Sequence, residues 1–347
     1  MQIIDGDSEH DRMLAPSRIM RPAETRAGGG RERAELVEEA REMIRVGSRS
    51  FYFASRLFDR LTREKAWLLY AWCRRCDDLA DGQDLGGNRV DPPANQEEAE
   101  NRLQAIRVLT RRAFARQPTA DPAFDGLGQL AMETGISEDM ADDVIAGFAL
   151  DAADWRPRTE ADLLRYCYHV AGAVGVMMAR VMGVPAEDGE TLDRACDQGL
   201  AFQLANIARD LADDADAGRC YIPQEWLAEE DIEPGQEMKP HHRQEMADIA
   251  RRLVTLMEKH EAAARWGTRR LPFRSRWAVL AAANIYGAIG REVVARGPRA
   301  WDERVVIGRW KQAKLMVSAW RDALDNKPAD PGVILWSRHD FRPVEGW

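Results

Sequence analysis

Apolar residues recur every three or four positions along most of the chain, which is the spacing of an amphipathic helix. This pattern predicts helices over residues 31–44, 66–81, 96–115, 142–148, 163–184, 203–214, 243–261, 276–296 and 305–324. Residues 82–95, 118–128 and 215–223 carry Gly or Pro and predict the breaks between helices. Strand-like alternation between hairpin turns is not found. We therefore predict an all-α fold, a single-domain helical bundle with a central cavity.

The two ends of the chain depart from this pattern. Residues 1–30 are polar, contain Pro16 and Pro22, and close with three glycines, which predicts a disordered N-terminal arm. Residues 325–347 are predicted to form a C-terminal tail. A length of 347 residues allows two domains, but we expect one, spanning residues 31–324.

Acidic residues are spaced to lie on one face of each of two helices. Asn206, Asp210 and Asp214 follow one another at steps of four, and Asp77 and Asp81 have the same spacing in an earlier helix. We call Asp77 and Asp81 the first Asp pair, and Asp210 and Asp214 the second.

Asp pairs at this spacing usually lie in water, but the flanking residues here are apolar. Residues 66–73 precede the first pair and residues 200–202 the second, which indicates that both helices are buried. Buried carboxylates are rare unless they are paired or bind metal. Because oxygen ligands suit hard cations, the two pairs together predict a site for Mg2+ or Mn2+.

Composition narrows the function classes. The chain is 45% apolar and 31% charged, as is usual for a globular protein, and has a net charge of -9 without a basic stripe, so we expect no nucleic-acid partner. No uncharged apolar run reaches the ~20 residues of a membrane span. The first residues lack the features of a signal peptide, so a cytoplasmic location is expected.

The five cysteines are odd in number and lie mostly in apolar helices, where they are expected to be small buried hydrophobes. Cys73 and Cys76 form a Cys-x-x-Cys, but without a second pair or a nearby histidine it does not favour zinc.

Several features near the Asp pairs suit a ligand that has an anionic head and an apolar tail. Arg74, Arg209 and Arg219 lie close to the pairs in sequence, and residues 170–178 form an apolar helix segment. Together they predict a prenyl diphosphate. Metal ions would neutralise the departing diphosphate, and the apolar segment would shield a carbocation from water.

Three further segments each allow two interpretations. Gly172 and Gly175 serve either close helix packing or space for the ligand. Residues 47–53, Gly-Ser-Arg-Ser-Phe-Tyr-Phe, suit either phosphate contact beside an apolar wall or a turn that joins two helices. The segment 82–95 is either a plain loop or a cover for the site. His169 is interpreted as a core histidine, and Asp142 and Asp143 as solvated.

Three motifs resemble the squalene and phytoene synthases, the head-to-head prenyl transferases. They are Arg-Arg-Cys-Asp-Asp-Leu-Ala-Asp at 74–81, Tyr-Cys-Tyr-His-Val-Ala-Gly-Ala-Val-Gly at 166–175, and the segment 206–223. The resemblance extends from about residue 47 to residue 324 and is closest in detail to the bacterial phytoene-forming members. It implies the isoprenoid (terpenoid) synthase fold.

The resemblance also implies residue roles. The residues that would hold metal through diphosphate are Asp77, Asp81, Asn206, Asp210 and Asp214. The residues that would contact the substrate are Ser48, Phe51, Arg74, Gln203, Asn206, Arg209, Tyr221 and Arg304. Tyr166 matches a tyrosine at the reaction centre. Arg304 rests on a weaker match because spacing differs among relatives in that region.

By the same resemblance, two geranylgeranyl diphosphates are expected to condense through prephytoene diphosphate to 15-cis-phytoene, with Mg2+ or Mn2+ and without NADPH, at the first committed step of carotenoid biosynthesis. The alternative is a dehydrosqualene or squalene synthase that uses farnesyl diphosphate. We further expect a monomer or weak oligomer and reversible contact with the inner membrane, because substrate and product partition into lipid.

Two other classes are weaker. A di-metal carboxylate oxidase needs Glu-x-x-His pairs, and none of the six histidines has a Glu three residues before it. A non-catalytic helical scaffold leaves both Asp pairs unexplained.

Overall fold

The computed structural model describes residues 26–82, 95–325 and 333–342, and every regular element in these ranges is a helix. The predicted all-α fold is confirmed. The N-terminal helices are α1 (Arg33–Gly47), α2 (Arg49–Ser55), α3 (Arg60–Asp81), α4 (Gln96–Phe114), α5 (Pro122–Thr134), α6 (Glu138–Ala152) and α7 (Glu160–Cys167). The remaining α-helices are α8 (Ala173–Val181), α9 (Gly189–Asp216), α10 (Gln224–Glu229), α11 (Arg243–Gly267), α12 (Phe273–Arg296) and α13 (Arg309–Asp325).

Side-chain caps fix where the helices begin. The carboxylate of Asp59 accepts a hydrogen bond from the Thr62 amide at the start of α3. Thr159 and Asp162 form a reciprocal capping box at the start of α7. Each cap satisfies a backbone N–H that has no partner inside its helix.

The predicted break over residues 118–128 is wrong in its second half, because α5 begins at Pro122. Proline is favoured in the first turn of a helix, where its missing N–H is not needed, and the Asp121 side chain caps that turn. Gly128 serves packing, since a Cβ there would lie 2.6 Å from the carbonyl oxygen of Ala113 at the end of α4.

The long helix α9 lies at the centre of the bundle and packs against α8, α11 and α12. Its approach to α8 is so close that a Cβ on Gly175 would lie 2.3 Å from the Ala195 carbonyl oxygen. A Cβ on Gly199 would lie 2.3 Å from the Ala171 carbonyl oxygen. Of the two interpretations of the mid-helix glycines, the structure supports close packing.

The segment between α7 and α8 is a single π-helical turn, Tyr168–Gly172. It continues directly into both neighbours, so the predicted helix over 163–184 is present with a local widening. Such π-turns frequently occur at functional sites. Val170, Val174 and Met178 lie along one face of this segment and are only half-buried.

The ends of the described chain are tied to the bundle. Residues 27–30 form a short 3-10 turn against α5, while positions 1–25 of the predicted arm lie outside the described residues. Within the predicted tail, Arg342 donates to Asp143 at 2.5 Å, and the Trp336 ring centroid lies 4.1 Å from that of His260. Part of the predicted tail therefore packs on the domain.

Within the described residues, one helical stretch, Phe273–Arg299, is long and apolar enough to cross a bilayer. Its most apolar part is 56% buried inside the protein. A core helix of a folded bundle passes the same test.

Candidate active site

The first Asp pair lies on the last two turns of α3, and both side chains are half-buried. The Arg74 guanidinium contacts Asp77 at 3.1 Å and donates to Asp78 Oδ1 at 2.9 Å. Asp78 is only 3% exposed and points away from the pair, as the helical period predicts. Asp78 therefore orients Arg74, which leaves the pair on the open face of the helix.

The second Asp pair lies on the C-terminal half of α9. Gln203 and Asn206 precede it on the same face, and all four side chains are half-buried. The Arg209 guanidinium donates to both oxygens of Asp210, at 2.7 and 2.5 Å. This arginine is thus placed beside a carboxylate of the pair.

A second arginine reaches the same carboxylate from a distant part of the chain. Arg304 lies 2.9 Å from Asp210 Oδ1 and 3.6 Å from Asp213. The indole N–H of Trp301 donates to the Ala208 carbonyl at 3.0 Å and anchors the loop that carries Arg304. The structure therefore brings Arg304 to the site.

The turn after α9 connects the two pairs. Gly218 adopts a left-handed φ of 75°, and the Arg219 amide donates to the Asp214 carbonyl at 2.8 Å, which closes the helix end. The Arg219 side chain then lies 3.6 Å from Asp81. A single cation thus spans the space between the helices that carry the two pairs.

Burial and mutual repulsion shift the acidic groups of the site. Burial raises the pKa of Asp77. Burial and the neighbouring Asp210 charge raise the pKa of Asp214 to about 7. Both pKa values are raised, so the nearby arginines do not fully offset the burial of these carboxylates, and a bound divalent cation would stabilise their charged forms.

No three His, Cys, Asp or Glu side chains within the described ranges are grouped closely enough to hold a metal ion by themselves. Each Asp pair offers only two carboxylates, and the two pairs lie on different helices, α3 and α9. Because Mg2+ keeps waters and shares its coordination with phosphate oxygens, this donor set fits metals that bind together with a diphosphate. Cys73 and Cys76 are free thiols, and Cys76 is buried.

The two tyrosines predicted at the site lie together. The rings of Tyr166 and Tyr221 stack with centroids 4.7 Å apart, and both side chains are nearly buried, at 3% and 8% exposure. Each hydroxyl donates to the same atom, Asp151 Oδ1, at 3.1 Å. Burial raises the pKa of Asp151 to about 6.

Asp151 was missed by the sequence analysis. It lies three residues beyond the predicted helix 142–148, on the face of α6 that also carries Val144 and Phe148. An isolated acidic residue in line with apolar positions of its helix is the signal that could have found it.

Ser48 and Phe51 lie where α1 meets α2. Ser48 Oγ accepts a hydrogen bond from the Phe51 amide at 3.3 Å, which supports the interpretation of this segment as a turn that joins two helices. The Phe51 ring lies 6.2 Å from that of Tyr70, one turn before Arg74 on α3. Phe51 is therefore adjacent to the first Asp pair's helix, whereas the described contact of Ser48 is to its own turn.

His169 and Asp143 belong to the packing of the domain. The ring of His169 is buried, and its Nδ1 lies 2.8 Å from the Asp143 carbonyl oxygen. The Asp143 carboxylate pairs with Tyr168 and Arg342, so the expectation that Asp143 is solvated is wrong. Asp142 is exposed, as expected. The predicted cover, residues 83–94, lies outside the described residues.

Apolar side chains border the acidic groups. Phe202 on α9 directly precedes Gln203, and its ring stacks on that of Tyr286 of α12 with centroids 4.2 Å apart. Two cavities of about 320 and 650 Å³ lie elsewhere, around Arg194 and Arg31, and charged side chains line both. The apolar surface beside the Asp pairs is the better match to a hydrocarbon.

Comparison with known proteins gives consistent findings. Residues 44–311 match the Squalene/phytoene synthase family. The 15-cis-phytoene synthase of Pantoea ananas is 44% identical over 307 residues, which cover 87% of this chain and 98% of the relative. That of a Paracoccus species is 40% identical over 309 residues, covering 88% and 98%.

Solved structures agree on the fold. A dehydrosqualene synthase with a bound ligand superposes with a TM-score of 0.73 at 22% identity, covering 85% of this chain and 98% of that one. A squalene synthase from Alicyclobacillus acidocaldarius gives 0.66 at 23% identity, covering 78% and 98%.

Proposed function

Because this chain belongs to the squalene/phytoene synthase family, we propose that it condenses two molecules of geranylgeranyl diphosphate head to head into 15-cis-phytoene. It is a prenyltransferase of carotenoid biosynthesis. The observation that carries the proposal is the combination of 44% identity to a 15-cis-phytoene synthase with two Asp pairs that Arg219 connects and a stacked tyrosine pair.

The polar side chains bind and orient the diphosphates. Arg74, Arg209 and Arg304 supply guanidinium groups, each already held by a carboxylate, that can turn to phosphate oxygens when substrate binds. Members of the family use a divalent metal for their diphosphate substrates. Asp77, Asp81, Asn206, Asp210 and Asp214 would hold Mg2+ or Mn2+ with the diphosphate, and the metal charge stabilises the departing group.

The apolar and aromatic side chains govern what happens after diphosphate leaves. Val170, Val174, Met178 and the stacked Phe202 and Tyr286 exclude water, which would otherwise capture the allylic cation. Ring closure gives prephytoene diphosphate, and a second ionisation and rearrangement give a cation that ends by losing a proton. Loss of a proton from the final cation does not require a hydride donor.

The test is to give the purified protein with Mn2+ either geranylgeranyl or farnesyl diphosphate, each with and without NADPH, and to identify the extracted hydrocarbon. Phytoene formed from the C20 substrate without NADPH is expected. Preferential turnover of farnesyl diphosphate, giving dehydrosqualene or, with NADPH, squalene, would replace this proposal with the alternative.

We also propose that the protein works in the cytoplasm and contacts the inner membrane through the outer face of α13. This face carries apolar side chains that are strongly exposed, namely Trp310 (86%), Val317 (51%), Trp320 (42%) and Leu324 (57%). Exposed basic residues flank them, namely Arg309, Lys311, Lys314 and Arg321. Interfacial tryptophans with flanking cations fit an anionic lipid surface, although the protein as a whole is acidic.

Co-sedimentation with vesicles that contain anionic lipid tests this surface. W310S/W320S is expected to reduce the bound fraction several-fold while leaving turnover of detergent-dispersed substrate unchanged. Equal binding of the variant would remove α13 as the contact. Light scattering of the purified protein without vesicles tests the expected monomer or weak oligomer.

A further inference from the structure

We propose that Asp151 is a positioning residue that makes Tyr166 the proton acceptor in the first half of the reaction. The inference rests on the proposed function. It starts from the observation that two tyrosines on different elements donate to one carboxylate oxygen, each at 3.1 Å.

The arrangement fixes what the tyrosines can offer a substrate. Asp151 lies near the end of α6, Tyr166 lies on α7, and Tyr221 follows α9, so three elements converge on one carboxylate. The stacking of the two rings holds both phenolic oxygens in place beside Asp151. With both O–H bonds directed at Asp151, the phenolic oxygens present lone pairs to any other group, and a lone pair is what a proton acceptor needs.

The groups around Asp151 act on its charge in opposite directions. Arg219 is the cation that acts on it, whereas the carboxylates of Asp81 and Asp214 oppose its charge. Burial is the largest of these effects and raises its pKa to about 6. A carboxylate with such a pKa accepts a proton more readily than an ordinary aspartate does.

The proton lost in the first half comes from the carbon that carried the departing diphosphate. After the C1–O bond of one substrate breaks, its C1 bonds to C2 of the other, using the electrons of the C2=C3 double bond and leaving a cation at C3. The C1–H electrons then close the ring to C3. The proton passes to the Tyr166 oxygen as the Tyr166 hydroxyl proton passes to Asp151, so Asp151 ends protonated and the phenol is restored.

This placement suits the first proton loss because C1 lies beside the diphosphate that has just departed. Asp151 borders the diphosphate end of the site. The Arg219 charge acts on Asp151, and the same guanidinium lies 3.6 Å from Asp81 of the first Asp pair. The apolar face of α8 lies on the hydrocarbon side instead.

The experiment compares two substrates for the D151N variant. With geranylgeranyl diphosphate, kcat is expected to fall about 10²- to 10³-fold with KM within about threefold, because an amide cannot take the proton. With prephytoene diphosphate supplied directly, turnover is expected to stay within about threefold of the natural chain. D142N, on the exposed side of the same helix, is the matched control and should match the natural chain with both substrates.

Coupling to Tyr166 supplies a second measurement. If Asp151 acts through Tyr166, D151N/Y166F should be no slower than the slower single variant, whereas independent roles give multiplied losses. D151E should recover part of the rate, since it restores a carboxylate.

The outcomes separate this inference from the proposed function. If the natural chain forms no phytoene, the proposed function fails. If it does, equal turnover of geranylgeranyl diphosphate by D151N overturns the inference, and so does an equal loss with both substrates, which is the result of a merely structural role.

Discussion

The two ends of α3 hold carboxylates in opposite ways. At its start Glu64 accepts from Arg33 at 2.6 Å and from Arg60 at 2.8 Å, and although burial disfavours its charge, these hydrogen bonds outweigh burial and lower its pKa. At its end Asp77 lies 3.1 Å from Arg74, yet burial prevails and raises its pKa.

The difference separates a carboxylate that the fold pairs fully from carboxylates that we propose bind a ligand. Glu64 is fully paired by the protein, and the same Arg33 also pairs Glu133 at 2.6 Å, so this end needs nothing else. The end with the Asp pairs is left short of cations, and perturbed carboxylates of this kind mark functional sites. Variants that remove one charge should therefore have opposite consequences at the two ends.

The largest effect is expected from the Asp pairs. D77N and D210N should each lower phytoene formation by at least about 10³-fold, because each removes a ligand and a charge that the metal and diphosphate need. The melting temperature of D77N should not fall, since burial disfavours the charge of Asp77. D210N should lose only what its ion pairs with Arg209 and Arg304 contribute to stability. Excess EDTA should abolish activity of the natural chain, and Mg2+ or Mn2+ should restore it. Full activity in EDTA would overturn the metal site.

At the other end of the helix the effect should be on stability. R33A leaves Glu64 and Glu133 with fewer partners, which is expected to lower the free energy of unfolding by about 1–3 kcal/mol, a figure reduced because Arg33 is partly exposed. Urea unfolding measures it, and kcat at 25 °C should stay within about twofold. R41A, which removes an exposed i, i+3 pair with Glu38, is the control. If R33A lost as much kcat as D77N, the start of α3 would not be purely structural, and the proposed difference between the two ends of the helix would be wrong.

A pH series should show the cost of the unpaired charge directly. Since the pKa of Asp214 rises from 3.8 to about 7 on folding, its contribution to stability is full below 3.8 and is lost as the pH rises through 7. In metal-free buffer D214N should therefore melt above the natural chain at pH 8, and the gap should close toward pH 4. D142N should show no gap at either pH. A D214N protein that melts lower at pH 8 would mean that the carboxylate is paired after all.

The sequence predicted those parts of the site whose residues repeat at a helical spacing. Both Asp pairs could be found because each lies within a single helix with apolar flanks. Asp151 could not, because it is a single acid whose partners lie 15 and 70 residues away. The predicted break over residues 118–128 extended too far because of Pro122. A proline that begins a helix cannot be distinguished by its sequence alone from one that follows a helix end.

Long-range contacts account for the remaining differences. Arg342 reaches Asp143 across 199 positions, so a polar tail gave no sign that it belongs to the domain. Gly175 of α8 meets the backbone of α9, and Gly199 of α9 meets the backbone of the π-helical turn before α8. Neither segment alone indicates its partner.

The smallest effect is expected at Arg304, which lies at the ligand end but is itself 56% exposed. Its ion pair with Asp210 should contribute only about 0–1 kcal/mol to stability, so the free energy of unfolding of R304A should lie within about 1 kcal/mol of that of the natural chain. Binding is different, because one charge-assisted hydrogen bond to diphosphate is worth about 1.5–3 kcal/mol. KM for geranylgeranyl diphosphate should therefore rise about tenfold, with kcat changed less than threefold, and R304K should fall between. R299A, an exposed arginine five residues away, is the control. An unchanged KM would mean that Arg304 does not bind the diphosphate and, like Arg33 at the start of α3, only pairs with carboxylates of the fold.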